Sequence, residues 1–466
     1  MRPLLNSPVL TTWLAQSVRI GGAIVVIPLA LRRFAPEDMA LWLLFSTISG
    51  LQLLADFGFS QTFSRFVAYG NSRGDAAAVG GSTIYGHEGL AVTAVAMARV
   101  YRHLVAASSL LLLVLGTWAV ASPVGLSSSP RHSWIAWSLV ILGTGFSIYA
   151  NRYVAYLVGA NQIALQNRWD AILGAGQLLS QLAVLYFEGS VLGLVAVSQA
   201  WIIASFALNR WLFRRLAPSD TVPVPPADEV RRALRRAWTA AWRSALGIGL
   251  GFGVMQVSTV VFANLLPSAE AASFLLGLRL MQILSQFSQA PFYVKLPLLA
   301  GLRSRGHLAE LTALAQSSMR NSYLVYAIGF GIIGLTGGFA LEAAGSQTSF
   351  PSGMFWAVLG LGVMAERYGG MHIQLYSTTN HIIWHKANGI FALCFVPMLL
   401  LLQGTPGGMP YAIAMASANI VSYAPFSAAH SYRSLDVAPL EFEKKAALVP
   451  ALSFLLIFTL IVAIHG

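Results

Sequence analysis

Apolar runs of about 20 residues, long enough to cross a hydrocarbon layer, recur along this chain between short polar stretches. The pattern predicts helices near residues 9–32, 39–58, 103–123, 132–158, 168–187 and 190–213. A second set follows near 241–266, 269–298, 322–344, 353–378, 382–403 and 409–429, with a thirteenth run near 446–464. No polar stretch is large enough to form a separate catalytic domain.

Composition agrees with the pattern. Of 466 residues, 56% are hydrophobic and 10% charged, the balance of a polytopic membrane protein. The net charge of +12 does not point to nucleic acid, because the basic residues fall in short loops and form no continuous soluble face. They gather in alternate loops: Arg65, Arg73, Arg99 and Arg102; Arg168; Arg210 to Arg236; Arg303, Arg305 and Arg320; Lys386; Arg433, Lys444 and Lys445. By the positive-inside bias those loops face the cytoplasm, as does the amino terminus; Arg32, Arg33 and Arg131 are exceptions. The start lacks a small-residue cleavage site, so the first helix is expected to be retained. One cysteine, Cys394, excludes an internal disulfide and a cysteine-based metal cluster.

Two segments interrupt the series. From Leu216 to Trp242 a proline-rich stretch turns into a basic amphipathic one, which reads as a linker followed by an interfacial helix. The segment from Ser60 to His103 reads as a partly ordered loop with an interfacial helix. The expected organisation is an N-terminal six-helix lobe at 1–215, a cytoplasmic linker at 216–240 and a C-terminal six-helix lobe at 241–432. Residues 433–466 would then form a basic loop and an extra transmembrane helix. A weak internal repeat supports two halves. Pro36 aligns with Pro267, Ala40 with Ala271 and Gly70 with Gly301 at an offset of 231; Asn161 with Asn380, Ile163 with Ile382, Ser198 with Ser417 and Arg214 with Arg433 at 219. An insertion near residues 75–100 of the first half would account for the change of register.

The opening, FAPEDMALWLLF followed by GLQLLADFGFSQTFSRFVAYG, resembles the start of the Wzx-type O-antigen and polysaccharide flippases of the multidrug/oligosaccharidyl-lipid/polysaccharide (MOP) exporter superfamily. The positions that carry the resemblance are Asp56, Phe57, Gly58 and Arg65, with the GANQ segment at Gly159 to Gln162 as a second point. It covers the first 75 residues best. The resemblance implies an all-α fold of two six-helix lobes around a central cavity, MOP/MATE-like, with 12 helices plus a 13th. It also implies a bacterial inner-membrane carrier that rocks between inward-open and outward-open states. Its cargo would be a polyprenyl-pyrophosphate-linked oligosaccharide, and its partners membrane lipids, a polysaccharide polymerase and other assembly proteins. No cofactor is implied; proton or sodium coupling stays open.

Arg19, Arg279 and Arg367 lie within apolar helices, where a guanidinium costs about 2.5–3.5 kcal/mol on the lenient insertion scale. Each needs a partner or a role. The functional reading is that they converge on the pyrophosphate, since a planar fork binds phosphate oxygens in pairs. The structural reading is pairing, for instance of Arg367 with Glu366. Among the acids, Glu366 is the deepest and, with Asp56, is the candidate for coupling or for a cavity acid. Asp170, near Arg168, and Arg152 lie toward cytoplasmic helix ends, as gate or cavity residues or as groups meeting water and headgroups.

Other features have plainer explanations. GIGLGFGVMQ, from Gly247 to Gln256, lacks the Lys-Ser/Thr of a phosphate loop and reads as close packing or a bend. Trp42, Trp118, Trp134, Trp137 and Trp356 read as interfacial anchors. His372, His381 and His385 read as surface histidines with no metal motif, and no nucleophile elbow is present. The expected function is therefore translocation of the lipid-linked oligosaccharide from the cytoplasmic to the outer leaflet, without covalent chemistry. The alternatives are a MATE-like cation-coupled drug or metabolite antiporter, which should carry unpaired cavity acids, and a membrane polysaccharide polymerase or ligase, which should carry a large external loop.

Overall fold

The computed structural model describes residue 22 and residues 25–50, 56–67, 87–216 and 225–465, less positions 57, 61, 65, 188, 380, 382, 403 and 406. The described secondary structure is helical, with no strand among the described residues. The chain divides into two compact units, Met1–Gly249 and Leu250–Gly466.

In the first unit α1 (Pro36–Gly50) carries Glu37 and Asp38 in its first turn, where the helix dipole favours negative charge. A long helix α2 starts at His87–Leu111, passes through one π-helical turn, Leu112–Gly116, and continues over Thr117–Leu126. It is followed by α3 (Pro130–Gly159), α4 (Ile163–Phe187) and α5 (Val191–Leu216). Pro130 opens α3 at a position whose N–H would lack a helical partner in any case. The α3–α5 pair lies close because Gly143 leaves room for Gln199, whose Oε1 would stand 1.8 Å from a Cβ there.

The stretch that reads as a linker followed by an interfacial helix is helical over its second half. Residues from Ala227 form α6 (Ala227–Ile248), and the unit boundary falls at Gly249. Val230, Ala237 and Ala241 share one face of α6 and are buried with Tyr101 and Met97 of α2 and with Phe59 and Phe63. An apolar stripe at helical spacing thus docks the segment on its own unit, while Arg231, Arg232, Arg235 and Arg236 keep to the other face.

The second unit contains α7 (Val254–Leu265), α8 (Ser268–Ser288), α9 (Ala290–Tyr293), α10 (Leu296–Ser304) and α11 (Leu308–Ala343). It continues with α12 (Gly353–Ser377), α13 (Trp384–Leu401) and α14, which runs from Met409 to Leu435 through a π-helical turn at Asn419–Tyr423. It ends in α15 (Pro439–Ala446) and α16 (Leu448–His465). The single helix expected over 269–298 is broken into α8, α9 and the start of α10. Pro291 and Pro297 stand at the starts of α9 and α10, and a proline blocks continuation of the turn before it.

Eight helices among the described residues are long and apolar enough to cross a membrane, or nine if α15 and α16, bent by 61°, count as one span. The helices α8 and α12 are not among them, because the charged and polar residues that include Arg279, Glu366 and Arg367 interrupt their apolar runs. The thirteenth apolar run is packed as α16 against α11. Phe454 stacks on Phe330 at 4.8 Å between ring centres, and Ile461 fits against Gly334, where a Cβ would stand 2.6 Å away.

Element bounds keep the repeat. An offset of 219 carries α5 (Val191–Leu216) onto α14 (Met409–Leu435), and brings α2, α3 and α4 close to α11, α12 and α13. Pro36 opens α1, and Pro267 caps α8. Two of the tryptophans expected at interfaces are instead in cores. Trp137 stacks on Phe45 and donates to Thr117, and Trp356 stacks on Phe330 and donates to its carbonyl. Each indole N–H finds a partner inside the bundle, which removes the reason to reach the headgroup layer. The glycine-rich GLGFG segment forms a π-helical turn, Gly249–Gly253, and a Cβ on Gly251 would lie 2.5 Å from Asn388.

The GANQ segment closes α3. Asn161 takes a left-handed φ of 59°, and Gln162 N–H returns to Leu157 O at 2.9 Å, a helix-ending turn. Gly159 there meets the backbone of the segment after Gly58: a Cβ would stand 2.5 Å from Ser64 O and 2.6 Å from Val67 Cβ. The two stretches that carry the family resemblance therefore touch. Gly159→Ala is expected to destabilise the first unit by about 1–3 kcal/mol, the range for overpacking, read as a lower thermal midpoint in detergent; Gly125→Ala, with open space around it, should leave the midpoint unchanged.

Candidate functional site

The second unit holds two of the three candidate cargo arginines, Arg279 and Arg367. Arg279 projects from the middle of α8, half-buried, and its Nη1 donates to Gln282 Oε1 at 2.8 Å, one turn along the same helix. No carboxylate pairs with it among the described residues. Arg367, on α12, is different. Its Nε donates to Glu366 Oε2 at 2.9 Å, its Nη2 contacts Glu366 Oε1, and its Nη1 donates to Gln289 Oε1 at 2.7 Å. The carboxylate of its own neighbour neutralises it. A glutamine at the end of α8 takes the remaining arm.

Arg279 and Arg367 share no partner. Arg367 reaches Gln289, which lies ten residues and roughly 15 Å of helix beyond Arg279. Arg19, the third expected member of the cluster, lies outside the described residues, as do Phe57 and Arg65.

In the first unit Asp56 is buried, and its carboxylate is fully engaged. Oδ2 accepts from Ser60 N–H at 3.0 Å; Oδ1 accepts from Ser60 Oγ at 2.8 Å and Tyr101 Oη at 2.6 Å. Gly58, at φ 70°, makes the turn that lets Asp56 cap the helical segment beginning at Phe59. Asp170 is half-buried on α4, two residues from Arg168. Arg152 lies in the last turns of α3, with Nη1 donating to Tyr149 Oη at 2.7 Å.

One polar cluster has no counterpart in the sequence reading. His372, expected at the surface, is fully buried on α12, with its ring 4.6 Å from that of Tyr368 and 5.1 Å from that of Tyr432. Its Nε2 lies 3.2 Å from Glu443 Oε1, out of alignment for a hydrogen bond. Glu443 comes from the short helix α15, and the same oxygen accepts from Tyr432 Oη at 2.6 Å, which in turn accepts from Tyr368 Oη at 2.6 Å. The correction has a packing cause: Phe442 and Ala446 bury one face of α15 against α11, α12 and α14, and this carries Glu443 over the histidine. In sequence, EFEKK reads only as a solvated charge run. Beside the cluster opens a largely apolar groove of about 1250 Å³, lined by Met364, Tyr368, Pro425, Tyr432, Leu440 and Glu443 among others.

No protein-family model matches this chain, and no curated protein matches it. Solved structures do. The lipid II flippase MurJ in an inward closed conformation is 12% identical, with 98% of each chain covered and a TM-score of 0.60. An inward-facing multidrug resistance MATE family transporter of the MOP superfamily is 13% identical, covering 94% of this chain and 100% of that one, TM-score 0.63. A MOP superfamily transporter from Pyrococcus furiosus, whose binding pocket has reversed polarity, is 13% identical, covering 93% and 98%, TM-score 0.57. At these identities the likeness establishes fold. The chain is an all-α, multi-pass membrane protein with the fold of MOP superfamily transporters.

Glu443→Ala would remove the carboxylate acceptor of the Tyr432 hydroxyl and leave it only Tyr368 among the described residues. It is expected to cost about 1–3 kcal/mol of stability, read as a lower unfolding midpoint in detergent. Glu443→Gln keeps an acceptor oxygen and should lose less.

Proposed function

We propose that this protein is a flippase that carries a polyprenyl-pyrophosphate-linked oligosaccharide from the cytoplasmic to the outer leaflet of a bacterial inner membrane, by alternating access, for surface polysaccharide assembly. The observation that carries the reading is Arg279, a half-buried guanidinium in mid-helix with only a glutamine as partner among the described residues. A positive charge in that setting is stabilised by an anionic cargo, and a diphosphate matches its fork. Arg19, on the first predicted helix, is proposed as a second contact. Arg367 and Glu366 form an ion pair that contributes little net charge, so their part is to shape the site around Gln289.

The fold by itself does not separate lipid flippases from drug antiporters, since MurJ and the MATE transporter match about equally. The acids favour the flippase. A carrier of cationic compounds needs a free carboxylate, whereas Glu366 is held by Arg367, and Asp56 by Ser60 and Tyr101. The MurJ neighbour handles a lipid-linked substrate, which supports the same class of cargo here. The particular sugar and pathway are for the assay to find.

The test is a leaflet-resolved assay in proteoliposomes with fluorescent polyprenyl-diphosphate oligosaccharide. The native chain should move the lipid, and Arg279→Ala should slow transfer by about tenfold or more, the worth of one charge-assisted contact, at unchanged protein abundance. Transfer at the native rate by the variant would remove the cationic-site reading. Uptake of cationic dyes in place of lipid transfer would favour the antiporter.

A further inference from the structure

Three arginines of the first unit surround a small cavity of about 240 Å³ at the ends of α3 and α5. Arg152 comes from α3, and Arg210 and Arg214, one turn apart, from α5. The rest of the lining is aromatic, including Tyr149, Tyr153 and Phe206, and no lining residue is acidic. The guanidinium of Arg152 is held within this cage, 4.7 Å from the ring centre of Tyr149 and 4.5 Å from that of Tyr153, as cation–π geometry requires. Its Nη1 is spent on Tyr149 Oη, leaving other N–H groups available to a ligand.

Helix termini explain part of this arrangement and not the rest. Cations are favoured at the last turn of a helix, which accounts for arginines on α5. Arg215 shows what such a residue does alone: it stacks on Trp211, 3.8 Å from the ring centre. Arg210 and Arg214 instead line one cavity with Arg152, and the repulsion of like charges at such spacing is relieved by an anion between them. Both helices are apolar enough to cross a membrane, and the arginines mark their ends, so the cavity stands at headgroup depth. Planar forks from two helices suit tetrahedral phosphate oxygens.

We infer that the Arg152–Arg210–Arg214 cavity is a binding site for the phosphate group of a membrane lipid. The phosphate can come from an anionic phospholipid or from a polyprenyl diphosphate; the chemistry recognised is the same. The inference rests on the lining of this cavity and not on the transport reading.

Native mass spectrometry of the full chain in a neutral detergent tests it, with phosphatidylglycerol, polyprenyl diphosphate and zwitterionic phosphatidylcholine titrated separately. The native protein should retain one of the two anionic lipids more tightly than phosphatidylcholine. Arg152→Gln, and the paired variant Arg210→Gln with Arg214→Gln, should each weaken retention by about tenfold, the worth of a hydrogen bond to a charged group. Preference for phosphatidylglycerol assigns the site to a bilayer lipid, and preference for polyprenyl diphosphate to a lipid-linked diphosphate. Arg210 and Arg214 are exposed, so the paired variant carries the test if Arg152→Gln does not fold. Arg215→Gln, at a side chain that stacks on Trp211 and does not line the cavity, should retain the lipid as the native chain does. Equal retention by the native protein and the paired variant would overturn the assignment.

Discussion

A charge carried into a hydrocarbon layer has to be neutralised or hydrated from within the protein, and that requirement governs where the polar groups of this chain end up. Arg367 meets it with Glu366 and Gln289. Asp56 meets it with a helix start and a tyrosine hydroxyl. Glu443 meets it in part, with Tyr432 and the nearby ring of His372. Arg279 differs from Arg367 in that its partner among the described residues is the neutral Gln282. A neutral partner satisfies one donor and leaves the charge itself uncompensated, which is why the functional reading concentrates on that residue.

The second consequence concerns backbone contact. Without a hydrophobic driving force between helices in lipid, association depends on close packing, and small residues set how near two backbones come. Gly143 admits the side chain of Gln199, Gly159 admits the backbone of Ser64, and Gly334 admits the terminal helix α16. The last of these makes the thirteenth apolar run an integral part of the second unit. Its neighbour α15 is drawn in by the same packing and delivers Glu443 to a buried histidine.

Polar devices at the helix ends complete the design. The left-handed Asn161, the positive φ of Gly58 and the prolines opening α9 and α10 each end or start a helix where an apolar run would otherwise continue. Arg152 lies about two turns before the Asn161 turn that closes α3. Arg279 stands in mid-helix, whereas Arg152, Arg210 and Arg214 line one aromatic cavity.

Hydrophobic period and length determined the all-helical, membrane-spanning class, because a backbone in lipid must satisfy its own hydrogen bonds and a helix does so locally. The offset of 219 between Asn161 and Asn380 also relates helix bounds, carrying α5 onto α14. The motif around Asp56 and Gly58 was visible, but its use as a cap was not, because Tyr101 comes from a distant helix. Pairing is a matter of tertiary structure. The sequence placed Arg367 beside Glu366 and could equally have sent the guanidinium toward cargo; rotamers and the position of Gln289 decided it. His372, which reads as a surface residue, and Trp356, which reads as an interfacial anchor, are both buried, because local polarity does not report which helix packs over a residue. Only the folded chain, by bringing α15 and α16 back onto α11 and α12, decides that His372 and Trp356 are covered.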